Sequence, residues 1–157
     1  MESSVEKNKP WKEQFASFLK EPTRQNLREL LQLEAVEDND LEFKQKLLSF
    51  DVLAKHILAM ANKNGGAIVF GVEEAKPNQF FPCGLSNILD ITDIEKKLAN
   101  YIPRKLEHKV IPNFYKGESH PEFKDKFFLT VIVNHNPRYV PFMALKSGKD
   151  LRKDIIY

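Results

Sequence analysis

The run Leu-Glu-Phe-Lys-Gln-Lys-Leu at residues 41–47 alternates apolar with charged side chains. Such alternation belongs to a strand with one face buried. Leu41 and Phe43 then face a core, and Glu42 and Lys44 share the other face, about 7 Å apart at the rise of a strand. A carboxylate and an ammonium so placed suit work on phosphodiesters. The carboxylate can hold a divalent ion, and the lysine can steady the attacked phosphate or the attacking water. The same spacing also describes a wetted strand face whose ion pair is worth ~0–1 kcal/mol.

More carboxylates bracket this strand. Glu37 precedes it, and Glu73 and Glu74 directly follow the apolar run Ala-Ile-Val-Phe-Gly-Val at 67–72. If the two strands are neighbours, these ends converge. Three carboxylates in one site repel one another unless a divalent cation neutralises them. Hard oxygen ligands favour magnesium or manganese over zinc. The plainer alternative is that acidic residues at loop–strand junctions sit there for solubility.

Basic residues cluster elsewhere: Arg104 and Lys105 after Pro103, Arg138 before Tyr139, and Lys146, Lys149, Arg152 and Lys153 near the end. Cations of this kind neutralise phosphates, and an interleaved aromatic such as Tyr139 or Phe142 can stack on a base. Asp150 and Asp154 dilute the cluster, so a mixed-charge surface is its alternative reading.

Other chemistries find no support. Gly65-Gly66 follows a helical run and precedes a strand, whereas a phosphate loop leads into a helix N-terminus. Neither the P-loop pattern nor GxGxxG is present. His56, His108, His120 and His135 are scattered without ligand spacing. Cys83 is the single cysteine, so no intramolecular disulfide and no zinc finger can form, and no basic neighbour activates it. A lone thiol suits a reducing cytoplasm.

These groups must be positioned by recognisable elements. Trp11, Phe15, Phe18 and Leu19 share a helical face that Pro22 ends. Thr23 offers an N-cap to a second helix carrying Leu27, Leu30 and Leu31. The acidic stretch 34–40 is a loop before the first strand. Residues 51–64 form a helix, capped by Asp51 and stopped by Gly65-Gly66. The run 67–72 is a strand covered on both faces, and 75–87 reads as a loop. Thr92 and Glu95 form a capping box for a helix that runs to Pro103. Two strands span 107–134, the second buried on both faces. An edge strand, a turn at Ser147-Gly148 and an unfinished strand close the sequence. A strand stopping at its apolar residues predicts a chain cut from something longer.

The order α-α-β-α-β-α-β-β-β predicts an α+β fold, a mixed sheet flanked by helices. With 157 residues the chain suits one domain. A polar tail over 1–9 is expected to be disordered, with a helical pair over 10–33 and the main domain over 34–157. The net charge of +2 does not by itself announce a nucleic-acid binder. No secretory h-region and no run of about 20 apolar residues is present, so no membrane association is expected.

Taken in order, Leu-Glu-Phe-Lys-Gln-Lys-Leu, then residues 54–74 with Ala-Met-Ala-Asn-Lys-Asn-Gly-Gly-Ala-Ile-Val-Phe-Gly-Val at their heart, then Cys-Gly-Leu at 83–85, Tyr-Ile-Pro at 101–103 and Val-Pro-Phe-Met-Ala-Leu at 140–145, the sequence resembles the Schlafen AlbA-like DNA-binding domain family over about residues 34–157. The two N-terminal helices lie outside that signature and look like the lead-in common in bacterial members. The resemblance implies a nucleic-acid-binding module, DNA or RNA, of a larger bacterial regulatory or defence protein. Lys44, Arg104, Lys105, Arg138, Arg152 and Lys153 would contact phosphates.

Some members cleave RNA with three metal-binding carboxylates. Their E-x-x-x-x-E-F-K pattern falls on Glu37 and Glu42. The third ligand follows the Gly-Val of the second strand, where the family typically has Asp; here Glu74 fits best. The resemblance thus implies, as an alternative, an endoribonuclease holding magnesium or manganese on Glu37, Glu42 and Glu74, with Lys44 as the fourth catalytic group. A dimerisation or docking domain is a further alternative. A homodimer and further domains of a parent chain are compatible with each reading.

Overall fold

The structure is a computed structural model that describes residues 4–33, 37–38 and 40–157. Four helices, α1 (Ser4–Lys20), α2 (Arg24–Gln32), α3 (Phe50–Ala61) and α4 (Ile91–Leu98), surround a four-stranded sheet. Its strands are β1 (Leu41–Lys44), β2 (Gly66–Phe70), β5 (His108–Phe114) and β6 (Phe127–Val133), in the order β1-β2-β6-β5. β1 runs parallel to β2, and the other two pairings are antiparallel. A separate hairpin joins β3 (Glu73–Lys76) to β4 (Gln79–Phe81). The fold is α+β with a mixed sheet, as the element order predicts.

The sheet is covered on both sides. Every residue of β2 and β6 is buried, which matches their unbroken apolar runs. α3 and α4 pack on one side, where Leu53, Ile57, Ile68, Phe70, Leu129 and Val131 meet. α1 and α2 pack on the other, where Trp11, Phe15, Phe18, Leu27 and Leu30 meet Phe43, Val69 and Phe128. β1 divides between the two: Leu41 and Phe43 are buried beneath the N-terminal helices, and Glu42 and Lys44 are half-buried on the α3 side.

Several local expectations are met. The Thr23 hydroxyl accepts the Asn26 amide (3.1 Å) and caps α2. Gly65, at φ 75°, donates its amide to the Met60 carbonyl and ends α3. A Cβ on Gly66 would stand 2.3 Å from the Asp40 carbonyl oxygen, so glycine lets the two strand entrances come together.

Others are corrected. α1 begins at Ser4, earlier than the helical face read from Trp11 onward; residues 1–3 of the expected tail lie outside the described ones, as do 34–36 and 39 of the acidic loop. β1 stops at Lys44, whose carbonyl accepts both the Gly71 and Val72 amides. The expected loop 75–87 contains most of the β3–β4 hairpin, because Asn78 adopts φ 62° and closes a tight turn after Pro77. α4 is capped by Asp90, whose carboxylate accepts the Thr92 and Asp93 amides, and Glu95 turns instead to His108. Ser49 holds the N-cap of α3, and Asp51 in its first turn accepts the Lys149 amide (2.7 Å). The two terminal strands reduce to one bridge, Met143 to Ile156. Pro137 and Pro141 lack the amide protons a ladder needs.

Candidate functional site

β1 and α3 enclose the first site. Glu42 and Lys44 project from alternate positions of the strand. His56, Ala59 and Met60 lie on the facing stripe of the helix, at spacings of three and four from His56, and Lys63 stands in the turn that follows it. With Glu37 and Asp38 they line a cleft of about 350 Å³. Glu37 reaches it because the chain before β1 folds back, with Asp38 bridging Leu41. Glu37 Oε1 there accepts the Phe43 amide (3.0 Å).

His56 Nδ1 lies 3.1 Å from Glu42 Oε2. The approach is off-axis, and that buried oxygen has no well-aligned donor among the described residues. The hydrogen-bonding contact with His56 nevertheless holds the Glu42 carboxyl below the usual carboxylate range. Burial opposes this, and the charges of His56 and Lys44 add to it.

A poorly satisfied carboxylate oxygen is an atom a cation could take. Of the other two ligands expected for a three-carboxylate site, Glu37 lines the same cleft and Glu74 does not. Glu74 is exposed on β3 and does not line the cleft. The reason is register. Glu74 pairs with Phe80, so the two share a face, and the Phe80 ring packs on Phe43 with centroids 4.8 Å apart. Phe43 belongs to the α1–α2 side of the sheet, opposite Glu42. Among the described residues, no group of three or more His, Cys, Asp or Glu side chains could hold a metal ion. The arrangement present therefore does not fit a three-carboxylate metal centre.

The second site lies around Tyr139. Lys105 Nζ stands 5.2 Å and Arg138 Cζ 5.7 Å from the centre of its ring. Arg104 is the exposed neighbour of Lys105. Close by in the fold, Lys146 Nζ lies 5.8 Å from the Tyr101 ring, whose backbone carbonyl accepts the Leu145 amide. The terminal segment is fixed by Asn62. Its side chain accepts the Phe142 amide (2.6 Å) and donates to the Phe142 and Tyr157 carbonyls, each at 3.0 Å.

The six cations expected to meet phosphate thus divide. Lys105 and Arg138 are brought together, with Arg104 beside them. Lys44 lies in the β1–α3 cleft. Arg152 and Lys153 stay exposed on the terminal segment, their amides bonded to the Tyr157 hydroxyl and Ser147 Oγ. None of the six forms an ion pair with a described carboxylate. Sequence reasoning missed His56 and Lys63, because it sought histidine spacing to other histidines. The signal was the stripe of α3 through His56, continued by the turn at Lys63, facing the wet side of β1. Among the described residues no helix is long and apolar enough to cross a membrane.

A family model described as Schlafen, AlbA_2 matches residues 37–153. No curated protein matches the chain.

Proposed function

The chain belongs to the Schlafen AlbA_2 family, and from that premise we propose that it is a nucleic-acid-binding module that grips the phosphate backbone. The observation that carries this is a set of cations that form no ion pair with a described carboxylate: Lys105 and Arg138 held on the ring of Tyr139, Arg104 beside them, and Lys44 in the cleft with Lys63. The Tyr139 ring restrains two long side chains, so less conformational entropy is lost when they meet phosphate. Arg152 and Lys153 extend the same basic character along the terminal segment. The reading is of a module in a larger bacterial regulatory or defence protein, and its nucleic acid is DNA or RNA.

The test is binding of fluorescent single and double strands of DNA and RNA over a range of salt concentrations. Wild type is expected to bind with an affinity that falls steeply with salt. Lys105→Glu combined with Arg138→Glu is expected to cost at least tenfold. Unchanged affinity in that variant overturns the reading.

Metal-dependent RNA cleavage is the second reading. Its support is that Glu37 and Glu42 line one cleft with Lys44. Glu74, the third ligand that the resemblance implies, does not line that cleft, so no step is assigned to a metal. RNA incubated with manganese and wild type, beside Glu42→Gln, decides it: cleavage lost in the variant supports catalysis, and no cleavage by wild type leaves the binding module.

A further inference from the structure

At the end of the sheet where β2 begins and β6 finishes lies a second cleft, of about 390 Å³. Asn64, Glu107, Asn134, His135 and Asn136 supply its polar lining, and Leu19 and Ile132 its apolar wall. This site was not singled out by the sequence, because its asparagines come from segments far apart in the chain. It is large enough for a planar heterocycle, and among the described residues no lysine or arginine lines it.

The polar groups are only partly spent. Asn134 Nδ2 donates to Glu107 Oε2 at a long 3.4 Å. Asn136 Oδ1 accepts the Arg138 amide (3.1 Å). His135 Nδ1 lies 2.8 Å from the Ala61 carbonyl, which only accepts, so that nitrogen carries the proton and Nε2 of the neutral ring is an acceptor. Asn64 is exposed, and its side chain forms no hydrogen bond with a described residue.

This composition selects among ligands. Glu107 repels phosphate, so the occupant is not an anion. Amides offer a donor and an acceptor in one plane, which matches the edge of a base, and Asn pairs in this bidentate way with adenine. A carboxylate accepts from an exocyclic amino group. Leu19 and Ile132 provide apolar contact for a ring. Two cations stand next to its lining residues in the chain: Lys63 of the β1–α3 cleft directly precedes Asn64, and Arg138 follows Asn136 by two residues. A strand whose phosphates met those cations would bring one unstacked base to the amides.

We infer that this cleft is a pocket for a single unstacked, amino-bearing nucleobase, adenine foremost, and so gives base preference to the nucleic-acid binding proposed above, on which it rests.

The experiment uses the full chain and eight-nucleotide single strands of adenine, of thymine or uracil, and of abasic sugar-phosphate, each in deoxyribose and ribose form. All carry the same backbone charge. Wild type is expected to bind the adenine strand about tenfold more tightly than the others. Asn64→Ala with Asn134→Ala should erase that preference while leaving the salt dependence and the melting temperature unchanged. Glu107→Gln, which keeps the shape, should narrow it. Equal binding of all strands by wild type, or a preference that survives in the double variant, overturns the pocket and leaves the phosphate grip standing. Absence of binding to every strand overturns both.

Discussion

The two sides of the sheet handle polar groups in opposite ways. On the side of α1 and α2, aromatic rings fill the space: Tyr115 lies 5.3 Å from Phe123 and 5.7 Å from Phe128, centre to centre. Charges there are tied down. Arg28 reaches Glu118 at 3.3 Å, His120 meets the same oxygen at 2.8 Å, and Arg24 donates to the Phe114 carbonyl. The Tyr115 hydroxyl donates to the Arg24 carbonyl, and burial pushes its ionisation well above the usual tyrosine range. On the side of α3 the core is mainly aliphatic, and Lys44 and Lys63 stand at its rim unpaired with any described carboxylate. One side fastens a helical pair to the sheet, and the other presents charge. β1 serves both through a two-residue period.

The sharpest way to break this contrast is to damage each side separately. Phe128→Ala removes a fully buried ring from the aromatic side and is expected to destabilise by about 3–5 kcal/mol. Denaturant unfolding measures this, and oligonucleotide affinity per folded molecule should not change. Lys105→Glu with Arg138→Glu should do the reverse. Its stability should stay within ~0.5 kcal/mol of wild type, while the slope of log affinity against log salt shrinks by about 1.8 for two lost duplex contacts. A Phe128 variant that binds poorly while fully folded would join the two sides into one functional unit.

The sequence made the fold legible where period and burial agreed. β1, β2 and β6 follow from alternation and from unbroken apolar runs, and α2 and α3 from helical spacing with Thr23 and Gly65 at their ends. What escaped depends on neighbours distant in sequence. The Asp90 cap outcompeted Thr92 because its carboxylate reaches two amides at once. Asn78 made a hairpin of a segment that looked like loop. At the site, Glu37, Glu42 and Lys44 line one cleft. Glu74 lies outside it, since its orientation depends on pairing with Phe80, which no spacing within 67–76 encodes.

A smaller effect should sharpen the picture of the aromatic side. Thr130 is fully buried in β6, and its hydroxyl has no partner among the described residues. β6 alternation places it with Phe128 and Ile132, under the N-terminal helices. A buried hydroxyl without a bond costs about 1–3 kcal/mol. Thr130→Val keeps the shape and should raise stability by about 1 kcal/mol in thermal unfolding. A loss instead would mean that the hydroxyl is satisfied, by water or by a residue outside the described ones.

The smallest effect tests the charged side through pH. His56 and Lys44 hold the Glu42 carboxyl below its ordinary range in the folded chain. In the unfolded chain that carboxyl returns to its ordinary value, so at low pH the unfolded state binds the extra proton first. Stability from this contact is therefore fully present above the ordinary carboxylate range, and it is lost as pH falls through the folded value. His56→Ala removes the first cause of the depression, so burial, which raises the carboxyl, gains weight. The variant should lose a little stability at neutral pH, while its stability should fall less on acidification than that of wild type. Glu42 is only about seven-tenths buried by its side chain, so solvent screening keeps the difference below that of Thr130→Val. Parallel acid-unfolding curves for wild type and His56→Ala would show that the histidine beside Glu42 carries no electrostatic weight, and the contrast between the two sides would then rest on Lys44 and Lys63 alone.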